Sequence, residues 1–216
     1  MTRFMALNIS VSEDGFMAGE DQAEERPLGR NGELLHSWAF VTESFKNWHG
    51  ATGGNLGIDN DFIERGFTNI GATIMGRNMF GPIRGPWIDD EWQGWWGPQP
   101  GYRHPVFVLT HYERPDVDMG NGTIFHFITG GIDRAYDMAS SAANGQDVRV
   151  GGGAQTIQQF LESGKLDELH VAKIPITLGA GEPLFSNREV QLQNYALATE
   201  VTSNSIIHQT FVKVNA

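Results

Sequence analysis

Val148-Arg-Val-Gly-Gly-Gly-Ala-Gln-Thr156 carries three consecutive glycines between two stretches of opposite periodicity. Residues 147–150 have the β-branched content of a short buried strand, bounded upstream by Asn144-Gly145. Residues 154–162 place Ile157, Phe160 and Leu161 on one helical face, at offsets of three and four. The glycines therefore occupy a strand-to-helix turn. Glycine permits positive φ and, lacking Cβ, lets another group approach the backbone. The helix that follows presents unpaired N–H groups and the positive end of its dipole, which suits a phosphate. A tight turn needs fewer glycines than this one has.

The spacing Gly151-x-Gly153-x-x-Thr156 is not the Rossmann pattern, because threonine replaces the third glycine. No strand ending in an acid follows about 20 residues later, where that fold places its ribose contact. Asp167 and Glu168 precede the next apolar run rather than follow it. A dinucleotide site is expected on another fold.

The 216 residues suit one domain, 1–216, with insertions at about 20–57 and 82–102. Hydrophobic content of 40% and charged content of 19% fit a globular chain with one sizeable core. The absence of cysteine excludes disulfides, thiolate catalysis and cysteine-based metal sites. The seven histidines show no metal-ligand spacing. Met1-Thr-Arg-Phe-Met runs directly into a strand-like segment without signal-peptide organisation, so a cytoplasmic location is expected. No apolar run reaches the length of a membrane span. A net charge of −11 argues against nucleic acid and anionic membrane as partners. An anionic cofactor would then need a local basic lining.

Residues 3–11 alternate and are rich in aliphatics, as a buried strand is. Residues 20–57 are polar and weakly periodic, with a helix available over 34–48. Asp61-Phe-Ile-Glu64 has the capping-box pattern and predicts a short helix to about Asn69. Residues 71–76 read as a buried strand ending on Gly76-Arg77. Residues 82–102 read as an irregular loop carrying Trp87, Trp92, Trp95 and Trp96. Strands over 106–110 and 123–129, a helix over 131–144, a strand over 169–176 and a final hairpin of 191–201 with 205–214 complete the chain. Strand alternates with helix through the middle, so parallel pairing and a sheet covered on both faces are expected. The helix-free end should pair antiparallel.

Two further strand ends carry chemistry: Gly76-Arg77, and Thr110-His111 with Arg114 close behind. Ligands of open α/β sheets bind beyond the carboxyl ends of strands. Arg77, Thr110 and the glycine turn could thus hold the phosphates of one dinucleotide, arginine pairing with phosphate through its fork. Each residue alone fits a helix surface or a cap equally well. The tryptophans could wall a pocket for a flat heteroaromatic, or pack an insertion against the core or a second subunit.

Taken together, Asn8-Ile-Ser-Val-Ser-Glu-Asp-Gly15, Thr73-Ile-Met-Gly-Arg77, residues 106–110, Val150-Gly-Gly-Gly153, Leu166-Asp-Glu-Leu-His170 and Pro175-Ile-Thr-Leu-Gly-Ala-Gly-Glu-Pro-Leu-Phe185 resemble the dihydrofolate reductase-like family. The branch is the one similar to the C-terminal reductase domain of bacterial riboflavin biosynthesis proteins. The resemblance implies an α/β fold with a mostly parallel central sheet, helices on both faces and a C-terminal antiparallel hairpin. It also implies NADPH as hydride donor and a homodimer. In that reading Gly76 and Arg77 look like the phosphate-binding strand end, and Thr110 like the adenosine ribose-phosphate contact. Gly151, Gly152, Gly153, Ala154 and Gln155 look like the turn on the pyrophosphate and nicotinamide side. Asp14 and Gly15 look like the loop covering the nicotinamide. Met79 stands where the family often has a hydroxyl. Asp14 is the candidate acid, and Asp61 lies near the stretch where dihydrofolate reductases carry theirs. Asp14, Asp61, Trp87 and Trp96 are the candidate substrate contacts. Two functions follow: an NADPH-dependent reductase of a small flat nitrogen heterocycle such as a pterin or flavin-precursor pyrimidine, or a non-catalytic nucleotide- or heterocycle-binding member of the same fold.

Overall fold

The computed structural model describes residues 2–82, 84–89 and 91–214. Its elements in chain order begin with β1 (Phe4–Ser12), β2 (Phe16–Ala18), a 3₁₀ turn (Gly32–His36), α1 (Ser37–Phe40), α2 (Glu43–Trp48) and α3 (Ile58–Arg65). Next come β3 (Ile70–Gly76), α4 (Arg77–Phe80), β4 (Pro105–Leu109), β5 (Val117–Asp118), β6 (Ile124–Ile128), α5 (Gly131–Ala142), β7 (Asp147–Val150) and α6 (Ala154–Glu162). The chain closes with β8 (Glu168–Ile174), β9 (Glu182–Pro183), α7 (Arg188–Gln191), β10 (Tyr195–Ser203) and β11 (Ile206–Lys213).

Nine strands form one sheet in the order β10-β11-β8-β1-β7-β3-β4-β6-β5. From β8 to β6 every pairing is parallel, with Phe4 opposite Val148 and Ile74 opposite Phe107. The continuous apolar runs of β1 and β3 are those of strands buried on both faces. On one face Phe4, Ala72, Ile74, Val150, Ile157 and Phe160 pack beneath α5 and α6. On the other, Leu35, Trp38, Ile63 and Ile174 form a core with the insertion, while Met75, Phe80, Val108 and Phe125 form a third. Full burial of each large side chain contributes about 1.5–3 kcal/mol. β10 and β11 form the antiparallel hairpin, turning on Asn204 and Ser205 at φ 48° and 69°. Positive φ at both turn positions matches the twist of paired strands.

Three local expectations fail for identifiable reasons. The 34–48 stretch is not one helix, because Thr42 ends α1 and caps α2: its hydroxyl donates to Ala39 O at 2.7 Å and accepts from Phe45 N at 3.3 Å. The helix near Asp61 begins at Ile58, with Gly57 as N-cap, so Asp61 lies inside its first turn and caps nothing. The strand expected from 191 begins only at Tyr195, because Gln191 ends α7, whose N-cap Asn187 accepts from Val190 N through its side chain. The two-residue edge strand β5 has no period for a sequence to show.

Candidate active site

The carboxyl ends of β3, β4, β6 and β7 lie side by side, and one cavity of 430 Å³ opens beyond all four. Such a cleft is where open α/β sheets bind ligands. Gly76, Arg77, Thr110, Gly151, Gly152, Gly153, Ala154 and Gln155 all line it. Close packing of the strand ends requires their small residues. Gly76 N–H donates to Gly152 O at 2.7 Å, and a Cβ on Gly76 would stand 2.6 Å from Thr156 Oγ1. Gly152 has φ +120°, in the region that favours glycine, and it joins Gly153 through a cis peptide.

Gly153 is the N-cap of α6 and offers no side chain to its first-turn N–H groups. A Cβ built on Gly153 would meet nothing within 4 Å, although its backbone is extended and open to any residue. Beside this turn stands Arg77. Its Nη1 donates to Gly81 O, and its guanidinium lies 3.6 Å above the Trp87 ring. Nε and Nη2 are buried and have no hydrogen-bond partner among the described residues. Desolvation, followed by repulsion from Arg114, lowers its pKa to about 10, which leaves it cationic at neutral pH. A half-buried cation with two idle donors beside a glycine turn is suited to an anion.

Thr110 is buried, and its hydroxyl accepts from Tyr112 N at 3.2 Å, so its own turn occupies it. Met79 packs against the turn, with Sδ 3.3 Å from the position a Gly151 Cβ would take. A larger depression of 810 Å³ lies between Leu34, Leu56 and Ile206; among the described residues it offers the carboxylate of Asp59 and no cation, which does not suit a phosphate.

Gly15, Asp14, Asp61, Trp87 and Trp96 do not line the 430 Å³ cavity. Gly15 closes the β1–β2 turn, its N–H donating to Ser12 O at 3.0 Å and its carbonyl accepting from Leu184 N. Asp14 is exposed, and its carboxylate accepts from Leu178 N at 3.1 Å and Gly179 N at 2.7 Å. Desolvation is the largest single influence on Asp14 and raises its pKa. Hydrogen bonds from Ser12, Gly179 and Leu178 together outweigh it and hold the carboxyl below its usual value. Asp14 is therefore an anionic clasp on the 178–185 segment and a poor acid. Asp14→Ala is expected to lower the melting temperature by a few degrees and to leave nucleotide affinity within twofold, as paired thermal-shift and fluorescence titrations would show.

Asp61 is exposed on α3. The tryptophan loop turns inward. Trp87 packs on Phe80 and Phe127, Trp96 on Tyr102 and Phe125, and Trp92 N–H donates to Phe80 O. The indoles so close the chain's own core, and Trp87 supports Arg77 from behind.

The insertion at 20–57 supplies cavity residues that no sequence pattern marked: Gln22, Pro27, Leu28 and His36. Arg84 and Glu182 stand at the mouth as an ion pair. Glu182 is brought there by the small β2–β9 sheet. Gly181 permits that crossing, since a Cβ on it would overlap Ala18 O.

The topology and the site at the strand ends define a dihydrofolate reductase-like fold. Residues 3–208 match the family described as the RibD C-terminal domain, and the chain belongs to that family. A putative riboflavin biosynthesis protein from Shewanella sp. PV-4 superposes over 100% of both chains with a TM-score of 0.58 at 19% identity. Dihydrofolate reductase from Enterococcus faecalis, solved with NADP(H), gives 0.51 at 12% identity over 99% of this chain and 97% of that one. RibD from Acinetobacter baumannii gives 0.53 at 16% identity, over 99% of this chain and 58% of that one. Uncharacterized protein YwjB of Bacillus subtilis (strain 168) is 34% identical over 59 residues, which span 27% of this chain and 33% of that protein. No helix among the described residues is long and apolar enough to cross a membrane.

Proposed function

We propose that the chain is an NADPH-dependent reductase that delivers a hydride to a small, flat, nitrogen-containing heterocycle. The half-buried Arg77 guanidinium, with Nε and Nη2 idle beside the 151–153 turn, is the observation that carries the reading. The residues fit the cofactor. Arg77 and the first-turn N–H groups of α6 would hold phosphate oxygens, and the open side of Gly153 would admit a dinucleotide against the backbone. Bound NADPH would supply the hydride; the protein would supply orientation and a pocket with little water. Support for the class comes from the family match and from the nucleotide-bound reductase among the superposed structures.

One observation favours the rival reading of a binding protein without turnover. Among the described residues the cavity presents a single carboxylate, Glu182, and Arg84 already pairs with it, so a proton for the reduced ring would come from water.

Gly153→Ala separates a cofactor cradle from a steric turn. The added methyl meets no protein atom and the φ of −72° is ordinary for alanine. NADPH affinity is expected to fall at least tenfold with the melting temperature within about 2 °C of wild type, measured on one preparation by fluorescence titration and thermal shift. Unchanged affinity would remove the turn from the binding site.

A further inference from the structure

We infer that His36 is the specificity-determining side chain of this cavity: its unpartnered imidazole reads the hydrogen-bonding edge of a neutral flat heterocycle, and the site rejects rings that bind as amidinium cations. The inference rests on the reductase reading for the location of the substrate. It adds the residue that recognises it.

His36 ends the 3₁₀ turn of the insertion and lines the cavity along with Ile9, Met17, Ala18 and Leu28, whose surfaces are apolar. Asn8 Oδ1 is buried without a partner among the described residues, and the other polar side chains beside His36 make bonds of their own. Ser10 Oγ accepts from Trp38 Nε1 at 2.9 Å, and Gln22 Nε2 donates to Pro27 O at 2.9 Å. Arg84 and Glu182 pair with each other. The His36 imidazole makes no hydrogen bond to any described residue; the ring stacks at 6.2 Å on Phe40. An imidazole with both nitrogens uncommitted beside these apolar side chains offers a donor and an acceptor to a bound ring.

Burial lowers its pKa to about 4, so it remains neutral through physiological pH. A neutral imidazole can orient and polarise a carbonyl or a ring nitrogen, but it cannot balance a cation. An amidinium ring needs a carboxylate, and the cavity's only one among the described residues, Glu182, is spoken for. Asp14 and Asp61 lie elsewhere.

Two pteridines test this. Lumazine has a neutral edge of carbonyls and N–H, whereas 2,4-diaminopteridine protonates to an amidinium. Binding of each is measured by fluorescence without nucleotide, and NADPH affinity is measured separately on the same proteins. Wild type is expected to bind lumazine at least tenfold more tightly than 2,4-diaminopteridine at pH 5, where the latter is largely an amidinium. His36→Leu should erase most of that preference, and His36→Gln, which keeps a donor and an acceptor, should retain it. NADPH affinity should remain within twofold in both variants. Equal or tighter binding of 2,4-diaminopteridine by wild type overturns the inference. So does no detectable binding of lumazine, or a preference that survives His36→Leu. If His36→Leu does not fold, loss of the preference in a folded His36→Gln also overturns it. A wild type that shows the His36-dependent preference but does not bind NADPH supports the assignment to His36 while overturning the reductase reading.

Discussion

Acidification from pH 6.5 to pH 4 is expected to remove several kcal/mol of stability, enough to bring the midpoint of unfolding close to room temperature. The cause is a set of histidines that the fold holds uncharged. His170 is 1% exposed and His208 is fully buried, and their tautomers are fixed by the bonds they make. Asn8 N–H donates to His170 Nδ1 at 3.2 Å, which leaves the proton of His170 on Nε2. That N–H faces His208 Nδ1 at 3.1 Å, and His208 Nε2–H then faces Asp59 Oδ1 at 3.1 Å. Phe62 stacks on both rings at 4.2 and 4.3 Å. An extra proton would have to enter at a nitrogen already accepting a bond.

Desolvation lowers the pKa of His170 to about 3, with His208 and the Arg65 guanidinium adding repulsion. It lowers that of His208 as well, against an opposing pull from Asp59. Desolvation and Arg149 lower His104 to about 4, and its Nε2 is 2.8 Å from Thr73 Oγ1. His36 falls to about 4 by desolvation. All four lie below the unfolded value of 6.5, so the unfolded chain takes up protons first as the pH drops. This stability is fully present above pH 6.5 and is lost as pH falls towards 4 and then 3. One proton of difference costs about 1.4 kcal/mol per pH unit, against a total stability of roughly 5–15 kcal/mol. Urea unfolding at intervals between pH 4 and pH 8 should show a plateau above 6.5 and a falling limb below it. His170→Gln keeps an acceptor for Asn8 and a donor for His208 but does not titrate. It should be less stable at pH 7 through loss of the Phe62 stack, with a shallower acid limb. An unchanged acid limb in that variant would assign the loss to other groups.

That histidine chain was invisible in the sequence, and the reason is general. His170 alternates within a strand and reads as packing; that it meets His208 and Asp59 depends on β11 pairing with β8 and on α3 crossing above. The strand-end residues were legible for the opposite reason. In a parallel sheet the ends of successive strands share one edge, so Gly76-Arg77, Thr110 and Val150-Gly-Gly-Gly153 are brought together by topology that strand–helix alternation already implies. The antiparallel hairpin was legible because the last segment lacks a helix to cross over.

Side-chain direction was not legible in loops. The indoles of Trp87 and Trp96 could have faced a pocket or a partner, and the aromatic faces of Phe80, Phe125 and Phe127 decide that they face inward. Asp14 drew attention through an acidic turn, and its carboxylate is taken by backbone N–H groups 164 and 165 positions away. His36 drew none, since its place in the cavity is set by the path of an insertion with no period of its own.

Replacing Arg77 by methionine is expected to cost NADPH affinity at least tenfold while the melting temperature stays level or rises. In most proteins the loss of a buried arginine strands its partner carboxylate and costs stability. Here no carboxylate pairs with Arg77 among the described residues; one guanidinium nitrogen is bonded to Gly81 O, two others are idle, and the plane rests on Trp87. Methionine fills similar volume above the indole and removes the cost of burying an unsatisfied cation. A charge-assisted bond to an anion is worth about 1.5–3 kcal/mol, or roughly ten- to a hundredfold in affinity. Arg77→Lys keeps the charge but loses the fork and the flat stack, so its affinity should fall between the two. Comparison with NADH assigns the phosphate: a loss confined to NADPH places Arg77 at the extra phosphate, and an equal loss for both places it at the pyrophosphate. A lower melting temperature in Arg77→Met with NADPH affinity intact would instead make Arg77 a packing residue on Trp87, and the glycine turn beside it would lose its anionic partner.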